Sequence, residues 1–294
     1  MNHKHKKITK AVFPVAGFGT RFLPVTKASP KEMLPIVDKP LIQYAVEEAV
    51  DAGITDMIFI TGRNKRAIED HFDTAYELES ELNNKNKLEL LHTVKNVIPR
   101  HINCIYIRQN EMLGLGHAVL CAKAITQDEP FAVLLADELL DSSPGALSQM
   151  IEVYEKTNSS VLGVYPVAYK DVSSYGIIKP DSLTNATSEV MGVVEKPHPQ
   201  NAPSNLAIIG RYIFTKQIMD ELIHTKTGIN GEIQLTDAIS SMLKHEKIYA
   251  HTIDATRYDC GSKLGYLKAT VSYGLKHKEL ASEFYQFLKS LQLD

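Results

Sequence analysis

A loop rich in glycine, proline and basic residues spans residues 16–40. Gly17 and Gly19 follow the apolar run Ala11–Ala16, and glycines at such a place let bare backbone N–H groups approach phosphate oxygens. Three basic residues follow along the same loop, namely Arg21, Lys27 and Lys31. Backbone donors at one end, with guanidinium and ammonium groups at the other, suit a triphosphate.

Two common phosphate-binding motifs are excluded for this loop. A dinucleotide fingerprint needs a third glycine where Phe22 stands, and the next apolar run ends at Thr61-Gly62 without an acid for a ribose. A P-loop needs a closing Gly-Lys-Ser/Thr, which this loop lacks. A nicotinamide oxidoreductase is therefore disfavoured. The prolines of the loop predict a rigid, extended path instead of a helix, at Pro24, Pro30 and Pro35.

A carboxylate, Asp137, follows the apolar run Phe131–Leu135. Ligands of open α/β sheets bind outside the carboxyl ends of the strands. A carboxylate there suits Mg²⁺, which takes oxygen ligands and keeps several waters. The alternative interpretation is a helix N-cap. We predict that Asp137 is a magnesium ligand.

A second polar residue, Gln109, follows the predicted strand Ile102–Arg108. Its amide can both donate and accept, which matches the hydrogen-bonding edge of a pyrimidine. Gly114 and Gly116 come next and would let the backbone approach a base. The alternatives are a polar turn residue for Gln109 and a plain helix start for the glycines.

The composition excludes several other classes of protein. Lys and Arg total 32 against 35 Asp and Glu, a net charge of −3, so the basic footprint of a nucleic-acid-binding protein is missing. An apolar run long enough to cross a membrane is absent, and the basic start lacks the apolar core of a signal peptide. The cysteines are far apart without a Cys-x-x-Cys pair, at positions 104, 121 and 260. They indicate reduced thiols and a cytoplasmic protein.

The pattern of the first 140 residues alternates short apolar runs with amphipathic segments. This alternation predicts a parallel sheet covered by helices on both faces. Pro14 is unusual for a central strand and predicts that the first strand leaves its ladder there and turns toward a site. The predicted strands are Ala11–Ala16, Met57–Thr61, Ile102–Arg108 and Phe131–Leu135. The predicted helices are Pro40–Ala52, Lys65–Phe72, Glu77–Val94 and Gly116–Lys123.

After about residue 140 the pattern becomes mixed. A helix over Gly145–Thr157 and a strand over Ser160–Val167 precede shorter strands separated by polar loops, and an amphipathic helical tail over Lys263–Leu293 ends the chain. A composition break is absent, so we predict a single domain over residues 1–294. The shorter strands are predicted at Tyr175–Ile178, Gly192–Glu195 and Ala207–Phe214.

The segment Gly-Phe-Gly-Thr-Arg-Phe-Leu-Pro (17–24), followed by Pro-Lys-Glu-Met-Leu-Pro (30–35), resembles the signature loop of the sugar-1-phosphate nucleotidyltransferases. Further segments are similar to the bacterial UTP–glucose-1-phosphate uridylyltransferases in particular, over about residues 8–280. The sequence departs from the usual pattern at Leu-Ala-Asp-Glu (135–138) and Glu-Met-Leu (111–113). The similar segments are residues 38–44, 114–118, 194–197, 203–207, 231–237 and 259–261.

The resemblance implies an enzyme that makes UDP-glucose and pyrophosphate from UTP and glucose-1-phosphate with Mg²⁺. The implied catalytic residues are Arg21, Lys31, Asp137 and Lys196. The implied nucleotide-binding residues are Ala16, Gly17, Gly19, Glu32, Gln109, Gly114 and Gly116. The implied sugar-binding residues are Gly176, Glu195 and Lys196, and the implied metal ligands are Asp137 and Asp259. Glu195 and Lys196 are neighbours on a strand, so both reach one ligand only if the chain twists there, which Pro197 could impose.

The implied fold is α/β, a Rossmann-like, mixed and mostly parallel sheet with helices on both faces and a smaller sugar-binding lobe. Residues 8–140 would form the nucleotide-binding half, 141–262 the sugar-binding half and 263–294 the helical tail. The tail and the resemblance also imply a homodimer or homotetramer. Two other readings stay open. One is transfer of a thymidylyl, cytidylyl or adenylyl group; the other is a non-catalytic homologue that only binds UDP-glucose, against which the retained Arg21 and Lys31 argue.

Overall fold

The computed structural model of the chain describes residues 6–228 and 231–292. The strands are β1 (Lys10–Pro14), β2 (Pro35–Ile36), β3 (Lys39–Pro40), β4 (Asp56–Thr61), β5 (Asn103–Arg108), β6 (Phe131–Leu134), β7 (Glu138–Asp141), β8 (Ser160–Pro166), β9 (Gly176–Pro180), β10 (Thr187–Glu195), β11 (Leu206–Phe214), β12 (Ile248–Thr252) and β13 (Thr256–Asp259). The helices are α1 (Leu41–Asp51), α2 (Arg66–Phe72), α3 (Tyr76–Asn84), α4 (Leu88–Lys95), α5 (Gly114–Cys121), α6 (Lys123–Thr126), α7 (Ala146–Thr157), α8 (Gln217–His224), α9 (Leu235–Met242), α10 (Lys263–Gly274) and α11 (Ala281–Ser290).

The main sheet is mixed and follows the strand order β5-β4-β1-β6-β11-β8-β12-β10-β9. Parallel pairing joins β5, β4, β1 and β6, and also joins β8 to β12. The neighbours of β11, and the strands beyond β12, pair antiparallel. The predicted alternation thus gives parallel strands in the first half of the chain, and the mixed pattern after residue 140 gives mainly antiparallel ones.

Helices cover both faces of this sheet, as predicted. On one face Phe13 and Phe59 pack against α1 and α7, through residues such as Val46 and Met150. On the other face the sheet packs against α5, α8 and α9. Alternate side chains of a strand point to opposite faces, so the near-continuous apolar runs of β1, β4 and β6 supply both cores. No helix in the described part of the chain is long and apolar enough to span a membrane.

Pro14 ends the central strand β1, as its place in the sequence predicts. The pairing of β1 with β6 stops at Val12, whereas on the β4 side the register continues to Pro14, opposite Ile60. Pro lacks a donor, so the ladder ends where the N–H is missing. The chain then leaves the sheet at its carboxyl edge, where Asp137 also lies after β6.

Three predicted segments have a different form in the structure. The predicted helix Glu77–Val94 is split into α3 and α4, because Asn86 takes a left-handed conformation with φ 54°. The predicted tail helix is likewise two helices, α10 and α11. The glycine-rich loop is not extended: its prolines separate short 3₁₀ turns at Thr20–Phe22, Val25–Lys27 and Lys31–Met33. Proline blocks a longer helix but tolerates a single turn that starts after it.

Candidate active site

Lys31 and Asp137 meet at the carboxyl edge of the sheet. The Lys31 Nζ atom lies 2.6 Å from Asp137 Oδ2, and about a quarter of each side chain is exposed, 26% and 22%. Burial lowers the pKa of the Lys31 ammonium, but the Asp137 carboxylate more than offsets this and leaves the pKa above its ordinary value. Burial likewise raises the pKa of Asp137, and Lys31 brings it below its ordinary range. Both groups are therefore charged at neutral pH.

The glycine-rich loop lines a cavity of about 500 Å³ beside this ion pair. Gly17 borders open space, since a methyl group at its α-carbon would meet no atom within 4 Å. Gly19 has φ +66°, and a methyl group there would lie 3.0 Å from Lys31 Cβ. The residues lining the cavity include Ala16, Gly17, Gly19, Lys31, Gln109, Gly114 and Asp137. Some of these residues lie more than a hundred positions apart in the sequence.

Glu32 has a different role from the predicted one. Its carboxylate is buried and accepts a hydrogen bond from Lys65 Nζ at 2.7 Å, so it faces Lys65 and not the cavity. Burial raises the pKa of Glu32 and lowers that of Lys65, because it penalises the charged form of each. This ion pair holds Glu32, and with it the glycine-rich loop, against Lys65. Sequence analysis did not predict this partner, because Lys65 precedes α2 without any motif to mark it.

Two of the candidate base-recognition residues, Gln109 and Gly114, line this cavity. Gln109 is buried, and its Nε2 atom donates to the carbonyl of Gly114 at 3.1 Å and lies 3.0 Å from His117 Nδ1. Gly114 has φ +90°, a conformation that favours glycine. The backbone N–H of Gly116 donates to the Ile233 carbonyl at 2.9 Å, and a methyl group at Gly116 would lie 2.6 Å from that oxygen. Gly116 thus packs closely between α5 and the segment before α9.

Asp259, the second predicted metal ligand, lies near Asp137. Its strand, β13, pairs with β7, and Asp259 stands opposite Glu138. A methyl group at Gly261 would lie 3.0 Å from Asp259 Oδ1, 3.2 Å from Asp137 Oδ2 and 3.3 Å from Arg21 Nη1. The two carboxylates and one guanidinium thus converge on the same glycine. Groups of three or more His, Cys, Asp or Glu side chains with metal-site geometry are absent from residues 6–228 and 231–292.

A second cavity of about 530 Å³ lies on the other side of Asp137. Glu195 and Lys196 both line it, and their side chains form an ion pair at 3.0 Å. Lys196 has φ +45°, so the twist that both residues need occurs at Lys196 itself, just before Pro197. Gly176 also lines this cavity, where a methyl group would lie 2.8 Å from Thr236 Cγ2 and 3.3 Å from Glu195 Oε2.

Three side chains in or beside this second cavity are not among the predicted site residues, namely Thr236, Glu138 and Arg257. Thr236 donates a hydrogen bond to Glu195 Oε2 at 3.0 Å and so orients that carboxylate. Arg257 binds both oxygens of Glu138, each at 2.7 Å. Burial raises the pKa of Glu138 to about 7, although Arg257 opposes the shift. Glu138 lies in the Leu-Ala-Asp-Glu segment (135–138), whose departure from the usual pattern is the one sequence signal that could have drawn attention to it.

The two cavities share Asp137, together with Leu115 and Leu135. One cavity offers a glycine loop and Lys31, and the other offers a carboxylate and an ammonium group at Glu195 and Lys196. Arg21 lines the second cavity from the loop side. The site can thus hold two anionic ligands at once, with a carboxylate and two basic groups at their meeting point.

The profile of the family described as "Nucleotidyl transferase" matches residues 10–274. The chain belongs to the nucleotidyl transferase family. This nucleotidyl transferase is 50% identical, over 98% of its length, to the whole of the Staphylococcus epidermidis protein named UTP–glucose-1-phosphate uridylyltransferase.

Solved structures agree with this assignment. The UTP-bound UGPase of Acinetobacter baumannii is 44% identical to this nucleotidyl transferase and superimposes with a TM-score of 0.92, covering 97% of this chain and 100% of that one. A UDP-glucose pyrophosphorylase complexed with UDP-glucose is 49% identical with a TM-score of 0.85, covering 92% of this chain and 100% of that one. The predicted α/β nucleotidyltransferase fold is therefore confirmed.

Proposed function

We propose that this nucleotidyl transferase transfers a uridylyl group from UTP to glucose-1-phosphate and releases pyrophosphate. The observation that carries the proposal is the position of Asp137, which borders both cavities at once. The chain is 50% identical to a named uridylyltransferase over almost the whole length of both proteins. This similarity supports uracil as the base and glucose as the sugar. The product would be UDP-glucose.

The chemistry needs positioning and positive charge more than a general base. A phosphate monoester has a second pKa of about 6, so the sugar phosphate is already mostly dianionic at pH 7. One of its oxygens attacks the α-phosphorus in line, forming the new P–O bond as the bond to the pyrophosphate oxygen breaks. The absence of a nucleophile–histidine pair from the proposed site residues is consistent with this reaction.

Each cation is assigned to one part of the reacting phosphates. Lys31, in the glycine-loop cavity, would neutralise the departing pyrophosphate with help from Arg21. Lys196, in the second cavity, would pair with the sugar phosphate, and Glu195 would accept hydrogen bonds from sugar hydroxyls. Fixed charges of this kind stabilise a transition state because they need no reorganisation as charge develops. Gly17 and Gly19 would bring backbone N–H groups to the triphosphate.

The donor set beside Gly261 fits a magnesium ion. Mg²⁺ takes few carboxylates and keeps several waters, and Asp137, from the turn before β7, and Asp259, at the end of β13, converge at this point. These two residues would hold the ion, which when bound would neutralise phosphate charge. Lys31 would have to leave Asp137 for this to happen.

The two halves of the chain would divide the substrates between them. Residues 8–140 would supply most of the UTP site, residues 141–262 most of the sugar-phosphate site, and residues 263–294 a helical tail.

The three cysteines are unpaired, which supports a cytoplasmic location. The apolar side chains exposed on the tail, such as Leu264, Leu267 and Phe287, support assembly into a homodimer or homotetramer.

A pyrophosphate-release screen tests the proposal directly. Purified protein would be incubated with Mg²⁺ and each of UTP, TTP, CTP and ATP, with glucose-1-phosphate, galactose-1-phosphate or no sugar. We expect release that depends on the sugar phosphate and is fastest with UTP and glucose-1-phosphate. If pyrophosphate is released faster with another triphosphate, the base preference must be reassigned. If no pair of substrates releases pyrophosphate, the chain would be a binding protein without catalytic activity.

A further inference from the structure

Arg257 is a buried cation that the proposed chemistry does not use. It lies on β13, two residues before Asp259, and its side chain is 9% exposed. Its Nε and Nη2 atoms donate to Glu138 Oε2 and Oε1, each at 2.7 Å. Arg257 is not among the described residues that line the two cavities. A role for it must therefore pass through the groups that it holds.

Tyr175 is the second group that Arg257 holds. The Arg257 Nη2 atom donates to the Tyr175 hydroxyl at 3.2 Å, and the guanidinium lies 4.9 Å from the centre of the Tyr175 ring. The Tyr175 hydroxyl in turn donates to Asp259 Oδ2 at 3.4 Å. One hydroxyl thus accepts from the arginine and donates to the carboxylate, which fixes the direction of both hydrogen bonds.

The backbone of Tyr175 connects this arrangement to the sugar-phosphate cavity. Its carbonyl oxygen accepts the N–H of Lys196 at 2.9 Å, at the residue whose φ of +45° brings the ammonium to the cavity. The next residue, Gly176, packs against Glu195 and Thr236. A shift of Tyr175 would therefore move the groups on both sides of the bound sugar phosphate.

The guanidinium is suited to this task in a way that an ammonium group is not. Its planar fork binds the two Glu138 oxygens and the Tyr175 hydroxyl simultaneously, and it stacks on the aromatic ring. Glu138 follows Asp137 directly and begins β7, so one end of the clamp is fixed next to the shared carboxylate. Lysine could satisfy one of these partners but would leave others unpaired.

We propose that Arg257 is a positioning residue that holds Tyr175, and through it the Lys196 and Gly176 backbone, in the geometry that binds the glucose-1-phosphate half of UDP-glucose. This inference rests on the proposed function. It assigns Arg257 no contact with substrate. It predicts a selective defect: binding of the sugar-phosphate half is weakened and binding of the uridylyl half is kept.

The test uses Arg257→Lys and Tyr175→Phe in the full chain. Calorimetry in EDTA would measure the dissociation constants of UDP-glucose and of UMP, which carries the uridylyl half alone. We expect each variant to bind UDP-glucose about 10-fold more weakly, the effect of one lost hydrogen bond to a charged group, and to bind UMP within about 2-fold of the wild type. Tyr154→Phe is the matched control, because it removes a buried hydroxyl that donates to the Lys6 carbonyl far from the site.

The double variant Arg257→Lys/Tyr175→Phe decides whether the arginine acts through the tyrosine. If it does, the double variant binds UDP-glucose no more weakly than Arg257→Lys alone. The proposal would be overturned if the affinity losses of the two single variants multiply in the double variant. It would also be overturned if a variant loses affinity for UDP-glucose and for UMP equally. Should Arg257→Lys fail to fold, an unchanged UDP-glucose affinity of Tyr175→Phe would still overturn it. A wild-type chain that does not bind UDP-glucose would instead contradict the proposed function.

Discussion

Lys31 and Asp137 form an ion pair at 2.6 Å at the border of the two cavities, so the cation proposed for the leaving group and the proposed metal ligand are direct partners. Two opposite charges in partly buried positions stabilise one another, as the raised pKa of Lys31 and the lowered pKa of Asp137 both indicate. Phosphate groups that draw Lys31 away would free Asp137 for a cation. We therefore expect metal and nucleotide to support each other's binding.

Replacement of Asp137 by asparagine should abolish most of the turnover. The substitution keeps the size of the side chain but removes the charge that would hold Mg²⁺. We expect kcat to fall about 100-fold or more, the scale for loss of a strong electrostatic stabiliser. Pyrophosphate release by EDTA-treated enzyme titrated with Mg²⁺ measures it, with Asp141→Asn at the end of β7 as the control. Near-normal kcat in Asp137→Asn would exclude Asp137 as the ligand.

Lys196 and Lys31 should give different kinetic defects. Lys196→Ala should raise the KM for glucose-1-phosphate strongly, with little change for UTP, because its contact exists in the ground state. Lys31→Ala should mainly lower kcat, because charge develops on pyrophosphate only as it leaves. Both effects should exceed the roughly 1 kcal/mol of an exposed ion pair.

Steady-state kinetics with each substrate varied, and circular dichroism for the fold, separate these two effects. A Lys196→Ala enzyme with a raised KM for UTP and a normal one for glucose-1-phosphate would reverse the assignment of the two cavities.

Gln109 should determine the preference for uracil. Its amide nitrogen already donates to Gly114, so its carbonyl oxygen is the atom that could accept from the N3–H of uracil. Cytosine has no hydrogen at N3 and would leave that oxygen unpaired, which a buried site penalises. Gln109→Ala should therefore lower kcat/KM for UTP and reduce its advantage over CTP and ATP. Unchanged ratios would place base recognition in backbone groups near Gly114.

Two glycines should respond in opposite ways to an added methyl group. Gly116→Ala places a carbon 2.6 Å from the Ile233 carbonyl and should destabilise the fold by about 1–3 kcal/mol, as overpacking does. Gly17→Ala meets no atom within 4 Å and should leave the melting temperature unchanged. It should instead raise the KM for UTP, because the methyl group points into space proposed for phosphate. Urea denaturation and kinetics on both variants test the pair, and equal stability losses would contradict it.

His71 should make the fold less stable in mild acid. Burial lowers the pKa of His71, whose Nε2 lies 2.9 Å from Gln43 Oε1, so the unfolded chain binds a proton more readily than the folded one. The contribution of His71 to the free energy of unfolding is fully present above the pKa of the unfolded state, about 6.5, and is lost as the pH falls below that value. His71→Gln should reduce the loss of stability between pH 7 and pH 5, measured by denaturant titration. His251, whose pKa burial also lowers, would contribute in the same direction.

Much of the site could be predicted because the chemistry imposes local patterns. Gly17, Gly19 and Lys31 lie within one loop, and Asp137 follows an apolar strand, so a parallel sheet brings them to one edge. Glu32 shows the limit of this reasoning. It lies in the same loop and looks like a ligand-binding acid, yet its carboxylate is buried against Lys65, because a short 3₁₀ turn directs neighbouring side chains to different sides.

The sequence alone determined the fold class, the family resemblance and the residue types at the carboxyl edge of the sheet, since each depends on local periodicity or on short motifs. Only the tertiary structure decided which groups face one another. Three such contacts join residues that are distant in the chain. Arg257 binds both oxygens of Glu138 and also the Tyr175 hydroxyl, and Gly116 packs against Ile233. Such contacts depend on strand register and on helix packing against the sheet, which are set by the whole core and leave no mark at the individual positions.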